Sequence, residues 1–304
     1  MIERTAIGID VGGTKIAAAL VDLATGTILE RATVPTPAGN GRADLIAEIA
    51  RSVTKMRGSS RIQTAPVGVG IGLPELVGND GRISSAWIWD WTGFAPEREL
   101  SSLGPVRLES DVRTAALGEI QYGHGRHHPT LVYVTIGSGL SFALAIEGRI
   151  HRGASGFAIH FASSALEPVC GACDAQTPFN LEAFASGLGM ARVYAARTGR
   201  SDIDARAIVA GTAGPEGEKL LDQATTALAS YLGQMTNMLD PHAIVIGGGL
   251  GTAPRFFDLI QRKVPDYVWA QSRRDIPVLP SALGADTGVI GAAALFDERA
   301  AWPR

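Results

Sequence analysis

Short apolar runs alternate with glycine-rich breaks from the start of the chain. TAIGIDV (residues 5–11) is apolar and β-branched, GGT interrupts it, and KIAAALVD resumes the apolar character. A Thr25-Gly26 turn then leads into TILERATV, again rich in β-branched residues. This pattern predicts a β-meander with strand 5–11, turn 12–14, strand 15–22, turn 24–26 and strand 27–34. LVYVTIGSGLSFALAIEGRI at 131–150 repeats strand, glycine turn and strand, a hint of internal duplication. Between the two lies PVRLESDVRTAALGEIQ, whose first residues read as a strand. Its apolar positions 112, 115, 116 and 120 then describe one face of a helix. Ser110 or Asp111 falls at the N-terminus of that helix, where caps and acidic side chains are preferred.

The segment GIDVGGTK (residues 8–15) differs from the phosphate loop G-x-x-x-x-G-K-[ST] by exchange of its last two residues. A true phosphate loop joins a strand to a helix, whose N-terminal amides face the phosphates. Here a strand follows, so phosphate oxygens would have to approach the turn itself, where Gly12 and Gly13 lack a Cβ. Thr14 and Lys15 offer a hydroxyl and an ammonium, although Lys15 could equally point to solvent. Asp10, at the end of the first strand, is placed to hold Mg²⁺ directly or through water; capping the turn is its other reading.

Composition narrows the classes. The 304 residues suffice for about two domains, and 46% hydrophobic with 19% charged residues describes a compact globular chain. A formal charge of −3 gives no electrostatic reason for a nucleic-acid or anionic-membrane partner. No apolar run approaches the roughly 20 residues of a membrane span, and MIERTAIGID lacks the form of a signal peptide. Two cysteines make no disulfide framework, so a cytoplasmic location is expected. Glycine is abundant at 37 residues, in keeping with many turns and close backbone approaches.

Six segments resemble, in order, those of the ROK family (repressor, open reading frame, kinase). They are IGIDVGGTKIAAALVD, VGVGIGLPELV at 67–77, VRLESDVRTAALGE at 106–119, VYVTIGSGLS at 132–141, DPHAIVIGGGLG at 240–251 and ALGADTGVIGAAALF at 282–296. The resemblance implies a two-lobed actin-like ATPase (ribonuclease H-like) fold with a mixed sheet in each lobe. It places the small lobe at 1–114 plus 289–304 and the large lobe at 115–288. It implies ATP and Mg²⁺ as cofactors, and a homodimer. Phosphate contacts would come from Gly12, Gly13, Thr14 and Lys15, and from Thr135, Gly137, Ser138 and Gly139 in the second turn. Gly247, Gly248 and Gly249 would lie on the adenosine side, and Asp111 would be the catalytic base. The local pattern alone reads Asp111 equally well as a helix cap.

The departures from the family pattern bear on the acceptor. Ser110 stands where sugar-phosphorylating members usually have Asn. The family's G-E-x-G-H appears as Gly156-Phe157-Ala158-Ile159-His160, so His160 remains while a hydroxyl-gripping Glu has become Phe157. NLEAFASG at 180–187 keeps Glu182, and Trp87, Trp89 and Trp91 add apolar character where the family often carries a substrate-contacting Asn. The resemblance thus implies substrate contacts from Ser110, Asp111, Phe157, His160 and Glu182, with glucose a poor acceptor. Family members bind structural zinc here through one His and three Cys. This chain offers His160, Cys170 and Cys173, with Asn180 at the fourth position, and four ligands are wanted. Structural zinc is therefore not expected. HGRHH at 124–128 reads as a solvated loop.

The expected function is an ATP-dependent kinase acting on a primary hydroxyl of a sugar or sugar-like molecule, an amino sugar or modified hexose before glucose. The alternative is a ligand-binding pseudokinase or sensor. A DNA-binding repressor is not expected, since only seven residues precede Gly8.

Overall fold

The computed structural model describes residues 4–37, 41–62, 64–160, 162–164 and 179–300. The chain divides into two compact units. The first comprises Met1–Pro129, Leu144–Ala158 and Ala285–Arg304, and the second Thr130–Ala143 and Ile159–Gly284.

The predicted meander is present as β1 (Thr5–Val11), β2 (Lys15–Asp22) and β3 (Thr27–Pro35), each antiparallel to the next. After α1 (Arg42–Arg57), β4 (Val69–Leu73) lies parallel to β1. A short α2 (Pro96–Glu99) precedes β5 (Val106–Ser110), parallel to β4, and α3 (Asp111–Tyr122) follows directly. The sheet order is β3-β2-β1-β4-β5.

The second sheet begins with β6 (Leu131–Ile136), β7 (Leu140–Ile146) and β8 (Arg149–Ile150). Helices α4 (Leu181–Ala185), α5 (Gly187–Thr198), α6 (Ala205–Val209) and α7 (Gly214–Leu239) come next. Then come β9 (Ala243–Gly247), α8 (Pro254–Lys263), β10 (Val278–Pro280) and α9 (Thr287–Ala294). Its order, β10-β9-β6-β7-β8, is that of the first sheet read in reverse, with β6 in the place of β1. The duplication hinted at in the sequence is thus a duplication of topology.

In the first unit, alternation along β1 decides what packs where. Ile7, Ile9 and Val11 join Leu45, Ile49, Val53 and Met56 of α1 in one buried cluster. The residues between them face the other way, toward α9. There a Cβ on Gly8 would lie 1.9 Å from the Val289 carbonyl oxygen, and one on Gly70 would lie 1.8 Å from that of Ala292. Two glycines, side by side in register, let a helix backbone rest directly on the sheet. Being covered on both faces, β1 and β4 read as nearly continuous apolar runs.

α3 departs from the one-faced helix predicted. Val112 to Ile120 are all buried, because α3 is covered by α9 as well as by the sheet. A Cβ on Gly291 would come within 1.7 Å of the Thr114 carbonyl oxygen. All of α3 lies in the first unit. In the second unit, α7 buries Leu220, Leu221, Ala224, Leu228, Leu232 and Met235 along one stripe, the spacing of an amphipathic helix.

Candidate functional site

The first glycine turn is a tight hairpin end. Gly12 N donates to the Lys15 carbonyl at 2.9 Å, Thr36 Oγ1 to the Gly12 carbonyl at 2.6 Å and Thr36 N to the Thr14 carbonyl at 3.1 Å. Gly13, Thr14 and Lys15 are exposed. Neither glycine has a positive φ, so what they supply is room. Ile88 approaches this turn, its Cδ1 lying 3.4 Å from where a Gly13 Cβ would stand. Ile88 is held in turn by Glu75, only 2% exposed, whose carboxylate accepts from Ile88 N at 3.3 Å, Trp87 N at 3.1 Å and Ser85 Oγ.

Asp10 sits against the first turn of α9, where a Cβ on Gly288 would lie 2.5 Å from its Oδ2. Burial pushes its pKa up to about 6, against the pull of Lys15. Among the described residues no donor is bonded to this carboxyl. A carboxylate that is costly to ionise and short of donors is one that a divalent cation completes, so Asp10 fits Mg²⁺.

Ser110 occupies the cap position of α3 with extended backbone and no side-chain cap bond. Asp111 is the first helical residue, its Oδ1 accepting from Val112 N at 2.6 Å. Strand register places Asp10 beside Gly72 and Gly72 beside Glu109. At about 4.8 Å per strand, Asp10 and Glu109 are about 10 Å apart, and Asp111 begins the helix just beyond. Asp10 and Asp111 therefore share the carboxyl edge of the parallel strands β1, β4 and β5, the edge where open α/β sheets take their ligands.

In the second unit the turn 137–139 is tied from one side. Gly187 N donates to the Gly137 carbonyl at 2.8 Å, Leu188 N to the Ser138 carbonyl at 3.1 Å, and Leu140 N to Glu182 Oε1 at 3.2 Å. Thr135 lies at the end of β6, in register with Gly247. The turn after β9 wraps the end of β6. Leu250 N and Gly251 N both donate to the Ile136 carbonyl, at 3.0 and 2.9 Å. Gly248 has φ +80° and lies against Ile136, while a Cβ on Gly247 would strike the Tyr133 hydroxyl. These two glycines are required by packing. Gly137 and Gly249 differ from them, since a Cβ on either would meet nothing within 4 Å. They are the open glycines of the two turns.

The acceptor candidates divide. Phe157, 39% exposed, belongs to the first unit. His160, partly buried, and Glu182 belong to the second. Glu182 Oε2 accepts from Ser163 Oγ, so both carboxylate oxygens have partners within the unit and the side chain fastens α4 to the glycine turn. Of the three tryptophans expected to add apolar surface, Trp89 and Trp91 are core residues at 1% and 7% exposure, and only Trp87 is exposed. Ile159, which stands where the family pattern has a glycine, has a left-handed backbone, φ +67°. That conformation is strained for a β-branched residue. Asn180 caps α4, its side chain accepting from Ala183 N at 2.8 Å. Cys170 and Cys173 lie outside the described residues, among which no three His, Cys, Asp or Glu side chains gather as a metal group. His124 opens a single 3₁₀ turn in the HGRHH stretch.

Several residues at this edge are not singled out by sequence. Glu109 is fully buried and pairs with Arg113 at 3.0 Å and Arg152 at 3.2 Å. Burial pushes its carboxyl above the usual glutamate range, and the two guanidinium groups pull it back. The i,i+4 spacing of Glu109 and Arg113 was visible in E-S-D-V-R. Arg152 and Asn79 had no local signal, and Glu75 only its place after a strand.

The ROK family profile matches residues 6–299. The bifunctional enzyme NanE/NanK of Brucella melitensis biotype 1 is 33% identical over 95% of this chain, which spans about half of that longer protein, 53%. The glucokinase of Thermotoga maritima is 29% identical, with 96% of this chain and 97% of that protein aligned. Among solved structures, a ROK family glucokinase from Streptomyces griseus in complex with glucose and AMPPNP matches with TM-score 0.80 at 26% identity, covering 96% of this chain and 98% of that one. The ROK hexokinase of Thermus thermophilus gives 0.77 at 28%, covering 95% and 96%. The mixed sheets, their repeated order and these likenesses are those of the two-lobed actin-like ATPase fold. From the meander at its start to α9 near its end, the chain belongs to the ROK family.

Proposed function

We propose that this chain is an ATP-dependent kinase that phosphorylates a primary hydroxyl of a sugar or sugar-like molecule, with an amino sugar or modified hexose preferred to glucose. The observation that carries the reading is the pairing of Asp10 and Asp111 at one strand edge, next to an exposed glycine turn. Family membership supports it, with relatives named glucokinase, NanE/NanK and N-acetyl-D-glucosamine kinase. A homodimer and a cytoplasmic location belong to the same proposal. No described helix is long and apolar enough to cross a membrane.

Mg²⁺·ATP supplies the transferable phosphoryl group and neutralises its charge. Asp111 accepts a hydrogen bond from the acceptor hydroxyl and then its proton. The amides of the turn 12–14, with Thr14 and Lys15, would bind phosphate oxygens, and the turn 137–139, with Thr135 and Ser138, is a phosphate-binding candidate of its own. Gly249 leaves room for the nucleoside. Asp10 would hold the cation. Phe157 cannot accept the hydrogen bonds that two adjacent ring hydroxyls would offer, so binding a plain hexose leaves their desolvation uncompensated.

The test is an ADP-release assay comparing glucose, N-acetylglucosamine, N-acetylmannosamine, free amino sugars and cyclitols at equal concentration. Turnover with one of the modified rings above glucose is expected. The highest kcat/KM on glucose would overturn the reading of Phe157. No turnover on any member of the panel, with ATP still bound, would favour the pseudokinase.

A further inference from the structure

The cluster around Glu109 does more than fill the core. Glu109 and Arg113 flank Asp111 by two residues on either side, and both are buried, at 0% and 1% exposure. Burying such a pair is costly, and apolar residues of similar size often serve stability as well. What apolar residues cannot do is take up carbonyl groups. The Arg113 guanidinium donates to the Val77 carbonyl at 3.2 Å and to the Gly156 carbonyl. Arg152, paired with the other oxygen of Glu109, donates to the Gly78 carbonyl at 2.8 Å. Next to it, Asn79 Nδ2 donates to the Gly153 and Ala154 carbonyls, each at 3.0 Å, and Asn79 N to that of Ser155 at 3.3 Å.

The consequence is a loop whose shape is set from outside. Residues 151–158 form no strand or helix, and four consecutive carbonyls, 153 to 156, are taken by Asn79 and Arg113. Gly156 sits at φ +90°, and a Cβ there would lie 2.7 Å from Asn79 N, so the loop is also pressed against 78–79. The next residue is Phe157. One buried carboxylate therefore joins the first turn of the Asp111 helix, the segment 77–79 and the stretch that leads to Phe157.

We propose that Glu109, Arg113 and Arg152 are positioning residues for the acceptor: they fix the 152–157 segment, and with it Phe157, in register with Asp111, without touching the substrate. This rests on the reading of Asp111 as the base and of Phe157 as part of the acceptor pocket. A network of this kind affects the acceptor and leaves the nucleotide turns alone. A purely structural role would lower stability without separating the two substrates.

The variants are Arg113→Lys, which keeps the charge but loses the planar fork, and the double substitution Glu109→Leu with Arg113→Met, which replaces the pair by apolar side chains. Arg152→Lys and Asn79→Ala, nearer the surface, are made alongside in case the double variant does not fold. The acceptor is whichever of glucose, N-acetylglucosamine and N-acetylmannosamine the wild type turns over fastest. The expected result is a loss of about 10- to 100-fold in kcat/KM for the acceptor, KM for ATP within about two-fold, and faster amide exchange in 153–158. Arg113→Lys should retain more activity than the double variant. A folded double variant with wild-type acceptor kinetics would overturn the proposal. So would unchanged exchange at 153–158 in every variant, or an equal rise in the KM of both substrates. Asp111→Asn, run in parallel, separates the two readings: if it turns over normally, the assignment of the base has failed, while the exchange measurement still decides the positioning claim.

Discussion

Replacing Asp10 by asparagine should stabilise the metal-free protein at neutral pH while removing its response to Mg²⁺. Burial raises the Asp10 pKa from 3.8 to about 6. The folded protein therefore holds this proton more tightly than the unfolded chain does. The stability that the carboxyl contributes is complete below the unfolded value of 3.8 and is lost as the pH rises through 6. A shift of about two units corresponds to about 3 kcal/mol, of which about 2 kcal/mol falls between pH 4.5 and 7.5. Asparagine cannot ionise, and every other titrating group is common to both proteins. The variant should thus gain about 2 kcal/mol on chelator-treated wild type between those two pH values. Urea unfolding followed by tryptophan fluorescence suits the measurement, since Trp89 and Trp91 lie in the core of the same unit. A stability difference that is the same at both pH values would refute the desolvation argument. Mg²⁺ with a non-hydrolysable ATP analogue should then stabilise the wild type and leave the variant much less affected. Equal stabilisation of both would remove Asp10 from the cation site.

Asp111→Asn should lower kcat by about 10²–10⁴ with the affinity for ATP, measured by calorimetry, nearly unchanged; normal turnover would leave Asp111 a helix residue only. Gly137→Ala and Gly249→Ala add a methyl group to open space, so thermal unfolding should shift by less than about 0.5 kcal/mol, while the KM for ATP rises in each. An unchanged KM would mean that these glycines do not face the nucleotide. Ile159→Gly relieves a left-handed backbone at a β-branched residue and should stabilise by about 1 kcal/mol in a denaturant titration; destabilisation would show that the side chain's packing outweighs the strain.

Local pattern determined the meander of this chain. Apolar, β-branched runs and turn glycines are short-range properties, so β1 to β3 and the turn 12–14 were readable within a few residues of themselves. The same holds for the start of α3 at Asp111 and for the second glycine turn at 137–139. The burial of α3 on every side was not readable, because it depends on Gly118 and Gly291 meeting across 173 positions of sequence. Trp89 and Trp91 look in the sequence like pocket aromatics, and only the fold sends them into the core while Trp87 stays outside. Glu182 kept its family position, but its partners, Leu140 N and Ser163 Oγ, come from other segments. Glu109 joins Arg113 four residues on, a pairing that sequence can suggest, to Arg152 and the carbonyls of 77–78 and 156, which it cannot. Charge, spacing and turn chemistry act over a few residues and are written in the sequence. Burial and the partners of a buried charge depend on which distant segments share a core, and those were decided only when the chain folded.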